Sequence, residues 1–417
     1  MSYQNIRGTH DILPAEIALW QWLEQTFGAL AHAYGYQEIR TPIFEATELF
    51  ERSSGDTSEV VTKEMYTFLD RKGRSLTLKP EGTAPVIRAY LQHRLGQPNQ
   101  VTKLWYLTPF FRYERPQKGR FRQPHQFGLE LIGAKGPAAD AEIIELTCRF
   151  YEAVGIKDTV VLLNSIGRSA TRAAFRDVLL EHMAGYIETI SDEDRAKVTK
   201  NPLRLIDTKE PVALELLKSA PQILDYLEDD SRAHFDGVRA ALDRAGVKYR
   251  LAPEVVRGLD YYTDTVFEVH SEHLGAQGAL CGGGRYDGLI QELGGPATPS
   301  VGVGIGVERL GIVLEGMGIA REPGRPTAYV VAATPEVWEA VESLVRTLRG
   351  QSIGCQWSLD RANLKNQFKE ADRLGARFAV VIGTDELAAG KVSLRDLVSG
   401  DQSLVDPAEL PATFKKE

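Results

Sequence analysis

Residues Phe111 to Gly133 read FRYERPQKGRFRQPHQFGLELIG and follow the apolar run Lys103 to Phe110. Alternating character predicts two strands joined by a basic loop. On the incoming strand Trp105, Leu107, Phe111 and Tyr113 take one face, and Tyr106, Phe110, Arg112 and Glu114 the other. On the return strand Phe127, Leu129 and Leu131 are apolar, opposite Gln126, Gly128, Glu130 and Ile132. If both apolar faces meet one core, Arg112, Gln126 and Glu130 share the second surface, with Gly128 leaving room for a ligand. A cation, an amide and a carboxylate over glycine suit a small zwitterion or a phosphate ester. The loop, Arg115 to Pro124, adds Arg115, Lys118, Arg120 and Arg122 and no acid. Arginines can fork onto phosphate and read base edges, although a solvated hairpin tip has the same composition.

At 417 residues the chain has room for two or three domains. With 49 basic and 57 acidic residues, net −8, it is no general nucleic-acid binder, so any RNA contact must be local. The start, MSYQNIRGTH, has no apolar targeting core, and no run is long enough to span a bilayer. Cys148, Cys281 and Cys355 are too scattered for a disulfide framework or zinc knuckle. These features predict a reduced, cytoplasmic protein, with Cys281 a small buried residue rather than a nucleophile.

Taken in order, Arg7-Gly8-Thr9-His10-Asp11 precedes a helix from about Pro14 to Tyr34, whose Ile17, Trp20, Leu23, Phe27, Leu30 and Tyr34 make one apolar face. A strand, Tyr36 to Arg40, leads to Pro42. A hairpin, Met65–Asp70 and Ser75–Leu78, delivers Lys79-Pro80-Glu81-Gly82-Thr83 to a helix that Thr83 is suited to cap. Residues 168–245 read as a helical insertion. Val255 to Thr263, VVRGLDYYT, reads as a return to strand, and ALCGGGRYDGL follows from Ala279. Ser300–Gly306, SVGVGIG, is a buried strand running into a helix with Glu308 and Arg309 in its first turn, a favourable place for an anion. After a proline–glycine linker, residues 326–417 alternate strands and helices as a small α/β domain.

Several of these stretches together resemble the histidyl-tRNA synthetase family of class II aminoacyl-tRNA synthetases. FRYERPQKGR is similar to the second class II motif and its histidyl-type loop; GVGIGVER is similar to the third. PEGT, RGLDYYTDTVFEV and ALCGGGRYDGL are similar to the family's histidine-pocket motifs, and NLKNQFKEAD with VSLRDL to the anticodon-binding domain. The resemblance implies an α+β catalytic domain over residues 1–325, an antiparallel sheet flanked by helices, with a C-terminal α/β anticodon-binding domain. It implies histidine, ATP (Mg2+ accompanying it) and tRNA(His) as ligands, and a homodimer built on the first motif. By the same resemblance Arg112 and Arg257 clamp the α-phosphate, and Arg257 also meets the histidine carboxylate region, doing a job given to a metal in some relatives. Glu81, Thr83 and Gln126 hold the ammonium, Glu130 and Tyr262 face the imidazole nitrogens, Tyr261 belongs to the histidine-binding set, and Arg309 fixes the nucleotide. Arg115 and Gln117 meet the acceptor stem. Lys79 departs from the commoner arginine and Pro124 from an aromatic. A regulatory relative that binds histidine without charging tRNA is the alternative. Retention of Arg112, Arg257, Arg309 and the terminal domain argues against it, and a non-catalytic RNA-binding module leaves the pocket residues unexplained.

Overall fold

The computed structural model describes residues 3–54, 58, 60–96, 100–117, 119–186, 189–191, 194–195, 206, 208, 210–273 and 278–415. Lys118 lies outside them. The chain divides into two compact units, Met1–Arg321 and Glu322–Glu417.

The first unit is built on strands β1 (Gln37–Glu38), β5 (Thr102–Pro109), β6 (His125–Ile132), β7 (Val160–Ser165), β8 (Tyr249–Leu251), β9 (Thr263–His270), β10 (Ala279–Arg285) and β11 (Ser300–Gly306), in the order β1-β5-β6-β11-β10-β9-β7-β8. The six central strands are antiparallel as expected. The two edge pairs, β1 with β5 and β7 with β8, are parallel. A separate three-stranded sheet joins β2 (Phe44–Ala46), β4 (Ser75–Leu78) and β3 (Tyr66–Leu69).

One face of the large sheet carries Trp105, Phe127, Leu129 and Leu131 against the helices Ile17–Ala33 and Pro137–Ala153. In the first helix Leu23, Phe27 and Ala31 are fully buried, whereas Ile17 is exposed. The helix starts three residues after Pro14, and Gly35 follows its end at φ +81°.

Two sequence expectations change. The incoming strand stops at Pro109, and Tyr113 is 57% exposed, stacked under the Arg122 guanidinium at 4.0 Å. Beyond Pro109 alternate amides still meet the return segment in register, Phe110 N to Pro124 O and Arg112 N to Arg122 O, but Phe111 N turns to Lys79 O and Tyr113 N to Glu64 O. Pro124 has no N–H to return, so the two-way ladder ends there. Val255–Tyr262 is likewise irregular, and β9 begins only at Thr263. The helices predicted as an insertion carried on this domain pack into its cores. Phe235, Val238 and Leu242 of the helix Asp229–Ala245 join the main core, and Phe175, Leu179 and Met183 of Ser169–Met183 join the second core beneath the site.

The second unit is a five-stranded sheet, β13-β12-β14-β15-β16, from β12 (Ala328–Ala332), β13 (Cys355–Trp357), β14 (Phe378–Ile382), β15 (Val392–Asp396) and β16 (Gln402–Val405). β13, β12 and β14 are parallel; β15 and β16 run antiparallel. The helix Trp338–Gly350 buries Val341, Leu344, Val345 and Leu348 in its core. Asn363 caps the helix Leu364–Arg373 by accepting from Asn366 N at 3.0 Å.

Candidate active site

The second face of the large sheet carries the site. Register sets its geometry: β5 pairs with β6 so that Tyr106 opposes Gly128 and Leu104 opposes Glu130, and β11 sets Gly302 against Glu130. A methyl group at Gly128 would collide with the Tyr106 ring. The glycine therefore makes room for tyrosine rather than for a ligand. Lying across it, the Tyr106 ring reaches Glu130, donating from its hydroxyl to Oε1 at 3.1 Å. Gly302 likewise clears space for the Glu130 carboxylate, and Gly304 for the Gln126 amide.

Glu130 is 1% exposed. It accepts from the hydroxyls of Thr83 (2.8 Å), Tyr106 and Tyr286. Burial pushes its carboxyl up to about 8, although these hydrogen bonds oppose the shift; the nearby Glu81 adds to it. Tyr286 packs edge-on to Tyr261 at 5.8 Å, and Tyr261 lies 4.7 Å from Tyr262. Burial raises both Tyr261 and Tyr262, with neighbouring carboxylates adding to the effect. The three rings and Glu130 make one buried, polar-tipped cup.

Thr83 does not cap its helix. Gly82 occupies the N-cap, and Glu81 supplies the acceptors, taking Thr83 N at 2.6 Å and Ala84 N at 2.7 Å. A carboxylate reaches two orphan amides where a threonine at the first helical position reaches none. Thr83 is thereby free to turn its hydroxyl to Glu130. Arg112 Nε donates to Pro80 O at 2.8 Å, tying the basic loop's first arginine to the turn that carries Glu81.

Arg257 lies flat over Gly282, where a side chain would strike its guanidinium, and is paired with Glu268. Gly284 clears Tyr262 as well, since an added Cβ would fall 2.5 Å from Thr265 O and 2.9 Å from the tyrosine ring. The consecutive glycines of β10 thus accommodate large side chains above the sheet, one polar and one aromatic. Arg309 donates to Gly119 O (3.3 Å) and Ala279 O (2.8 Å). Glu308 does not pair with it; its carboxylate accepts from His125 N at 2.9 and 3.0 Å and contacts Nδ1 at 2.8 Å.

Arg115 and Gln117 are exposed on the loop, apart from the buried cup. The loop closes on itself by Arg120 N to Gln117 O at 2.9 Å, with Gly119 at φ +75°. Its base rests on the N-terminal segment: Arg122 N donates to Gly8 O at 2.7 Å, and His10 packs 4.8 Å from Phe121. A cleft lined by Arg7, Tyr113, Glu114, Arg115, Pro116 and Arg122 opens there. Cys148, Cys281 and Cys355 are buried thiols; burial pushes Cys148 and Cys281 up to about 12, which removes them as nucleophiles.

Sequence reasoning brings Glu81, Thr83, Gln126, Glu130, Arg257, Tyr261 and Tyr262 to one face of one sheet with Arg112 and Arg309. It misses Tyr106, Tyr286, Glu268 and the Glu308–His125 clamp. A tyrosine facing a glycine across a hairpin is a readable signal for the first, once register is known.

Comparison with known proteins gives the family. The family model for histidyl-tRNA synthetase matches residues 8–310, and that for an anticodon binding domain matches residues 327–417. A histidine–tRNA ligase of Geobacillus sp. (strain WCH70) is 46% identical over all of this chain and 99% of its own length. One from Anoxybacillus flavithermus (strain DSM 21510 / WK1) is 46% identical over 97% of each. The crystal structure of apo S. aureus histidyl-tRNA synthetase superposes with a TM-score of 0.84 at 36% identity, covering 99% of this chain and all of that one. The chain belongs to the histidyl-tRNA synthetase family.

Proposed function

We propose that the chain is a histidine–tRNA ligase working in two steps on this site. A carboxylate oxygen of histidine attacks the α-phosphorus of ATP and the bond to the bridging oxygen breaks, giving histidyl-adenylate and pyrophosphate. A hydroxyl of the terminal ribose of tRNA(His) then attacks the acyl carbon and AMP leaves. Neither step needs a covalent protein intermediate, so catalysis is positioning and charge stabilisation.

In this reading Arg112 and Arg257 hold the α-phosphate, and Arg309 holds the nucleotide. Glu81, Thr83 and Gln126 receive the ammonium, while Glu130, Tyr261 and Tyr262 face the imidazole. Mg2+ enters on the ATP phosphates as part of the substrate. Arg115 and Gln117 meet the acceptor stem, and the second unit meets the anticodon. We extend the proposal to a cytoplasmic homodimer: the rings of Phe44 and Phe68, 6.5 Å apart, leave an exposed apolar patch on the three-stranded sheet for a second copy. Among the described residues, no helix is long and apolar enough to cross a membrane.

The observation that carries the reading is the buried Glu130 ringed by the hydroxyls of Thr83, Tyr106 and Tyr286, on the face that holds Arg112 and Arg257. A ligand lacking ring nitrogens leaves that cup with unmatched polar groups, which can cost roughly 10⁴–10⁵ in selectivity. Glu130→Ala tests it: histidine activation is lost while the fold persists, and unchanged kinetics would defeat the assignment.

A further inference from the structure

We infer that Glu268 is a positioning residue for Arg257, holding its guanidinium over Gly282 for phosphate binding. The inference rests on the proposed role of Arg257. Glu268 and Gly282 are directly opposed in the β9–β10 register. The side chain of Glu268 therefore rises beside the spot where the Arg257 guanidinium lies on bare backbone. Its two oxygens are divided: Oε1 takes Arg257 Nη1, and Oε2 takes His270 Nε2 at 2.7 Å. His270 stands two residues along the same strand, on the same face. The partners His270 and Arg257 hold the Glu268 carboxyl below its ordinary range against the effect of burial. The imidazole therefore donates from Nε2 and fixes the carboxylate's rotation.

A counter-charge is needed here. Arg309 donates to the carbonyl of Ala279, the residue paired with His270, so two guanidiniums converge on neighbouring positions of one strand pair. Arg257 and Arg120 both act to lower the Arg309 pKa, with burial the larger cause. Without Glu268, Arg257 would be repelled from the place where the phosphate is to sit. Its Nε has no hydrogen-bond partner among the described residues. Contact with Glu268, the neighbouring Tyr262 hydroxyl and the packing on Gly282 thus aim the group, and Glu268 is the one that carries a full counter-charge.

The test is a double-mutant cycle read by histidine-dependent pyrophosphate exchange on the full chain, with thermal midpoints recorded for each variant. Glu268→Gln keeps the shape and lowers kcat by roughly 10- to 100-fold, with the histidine KM near that of the unaltered chain. In an Arg257→Gln background the same change costs less than about twofold, because the residue it acts through is gone. Losses that multiply overturn the inference, as does a Glu268→Gln rate equal to the parent's while Arg257→Gln is impaired. Full exchange by Arg257→Gln instead overturns the reading of Arg257 itself. His270→Ala, which frees Oε2 and lets the carboxylate turn, decides the matter if Glu268→Gln does not fold. A kcat loss there supports the inference, and an unchanged kcat overturns it.

Discussion

Tyr106 and Gly128 oppose one another across the β5–β6 hairpin, and the tyrosine ring occupies the volume that any side chain at 128 would claim. The Tyr106 hydroxyl, delivered to Glu130 by this fit, cannot stay in place if the fit is spoiled. Gly128→Ala should therefore destabilise the fold by about 1–3 kcal/mol, the usual range for overpacking. It should also raise the histidine KM more than the ATP KM. Thermal denaturation and steady-state exchange kinetics check the two parts, and equal effects on both substrates would count against Tyr106 as a pocket wall.

Glu81 and Thr83 separate cleanly. Because Glu81 caps the helix Thr83–Gln92 through two amides, Glu81→Ala should lose about 0.5–2 kcal/mol of stability. Thr83→Ala leaves that cap intact and removes only the hydroxyl given to Glu130. It should melt close to the parent yet bind histidine more weakly. The reverse ranking of melting temperatures would show that Thr83 carries the cap after all.

The Glu130 carboxyl, pushed by burial from its ordinary 4.5 up to about 8, gives a signed pH dependence. Between those values the folded chain keeps a proton that the unfolded chain has released, so stability falls as pH rises through the window and levels off above it. Glu130→Gln has no such cost. Its thermal midpoint relative to the parent should climb from about pH 5 to about pH 8 and then stay flat. A difference independent of pH, or one that shrinks over this range, contradicts the burial argument.

Arg115 and Gln117, exposed on the loop and apart from the cup, should matter to tRNA and not to activation. Arg115→Ala is expected to leave pyrophosphate exchange unchanged, weaken aminoacylation, and flatten its salt dependence by about one unit of log–log slope, one phosphate contact's worth. Impaired exchange in this variant would place Arg115 on the nucleotide instead.

Alternating apolar residues made the β5–β6 hairpin legible, because its two faces meet different surroundings: Phe127 and Leu129 in the core, Gln126 and Glu130 over the site. The polar motifs placed Arg112, Arg257 and Arg309 without knowledge of register. Tyr106 falls on the site face by alternation, but its contact with Glu130 follows only once its cross-strand neighbour is known to be Gly128. Val255–Tyr262 reads as strand because β-branched and aromatic residues flank it. Its path is set instead by tertiary contacts, with Arg257 on Gly282 and the Tyr262 carbonyl accepting from Arg172 at 2.8 Å. Helices of the 168–245 segment showed the right periodicity, but no local pattern says which core a helix enters.

The most direct measurement is exchange of labelled pyrophosphate into ATP, run with histidine and separately with each other amino acid. The account predicts exchange with histidine alone, because only an imidazole satisfies the Glu130 cup while its carboxylate reaches the phosphate held by Arg112 and Arg257. Folded chain that binds histidine but supports no exchange would contradict the account, and would point to a histidine-sensing relative that has kept the pocket without the chemistry.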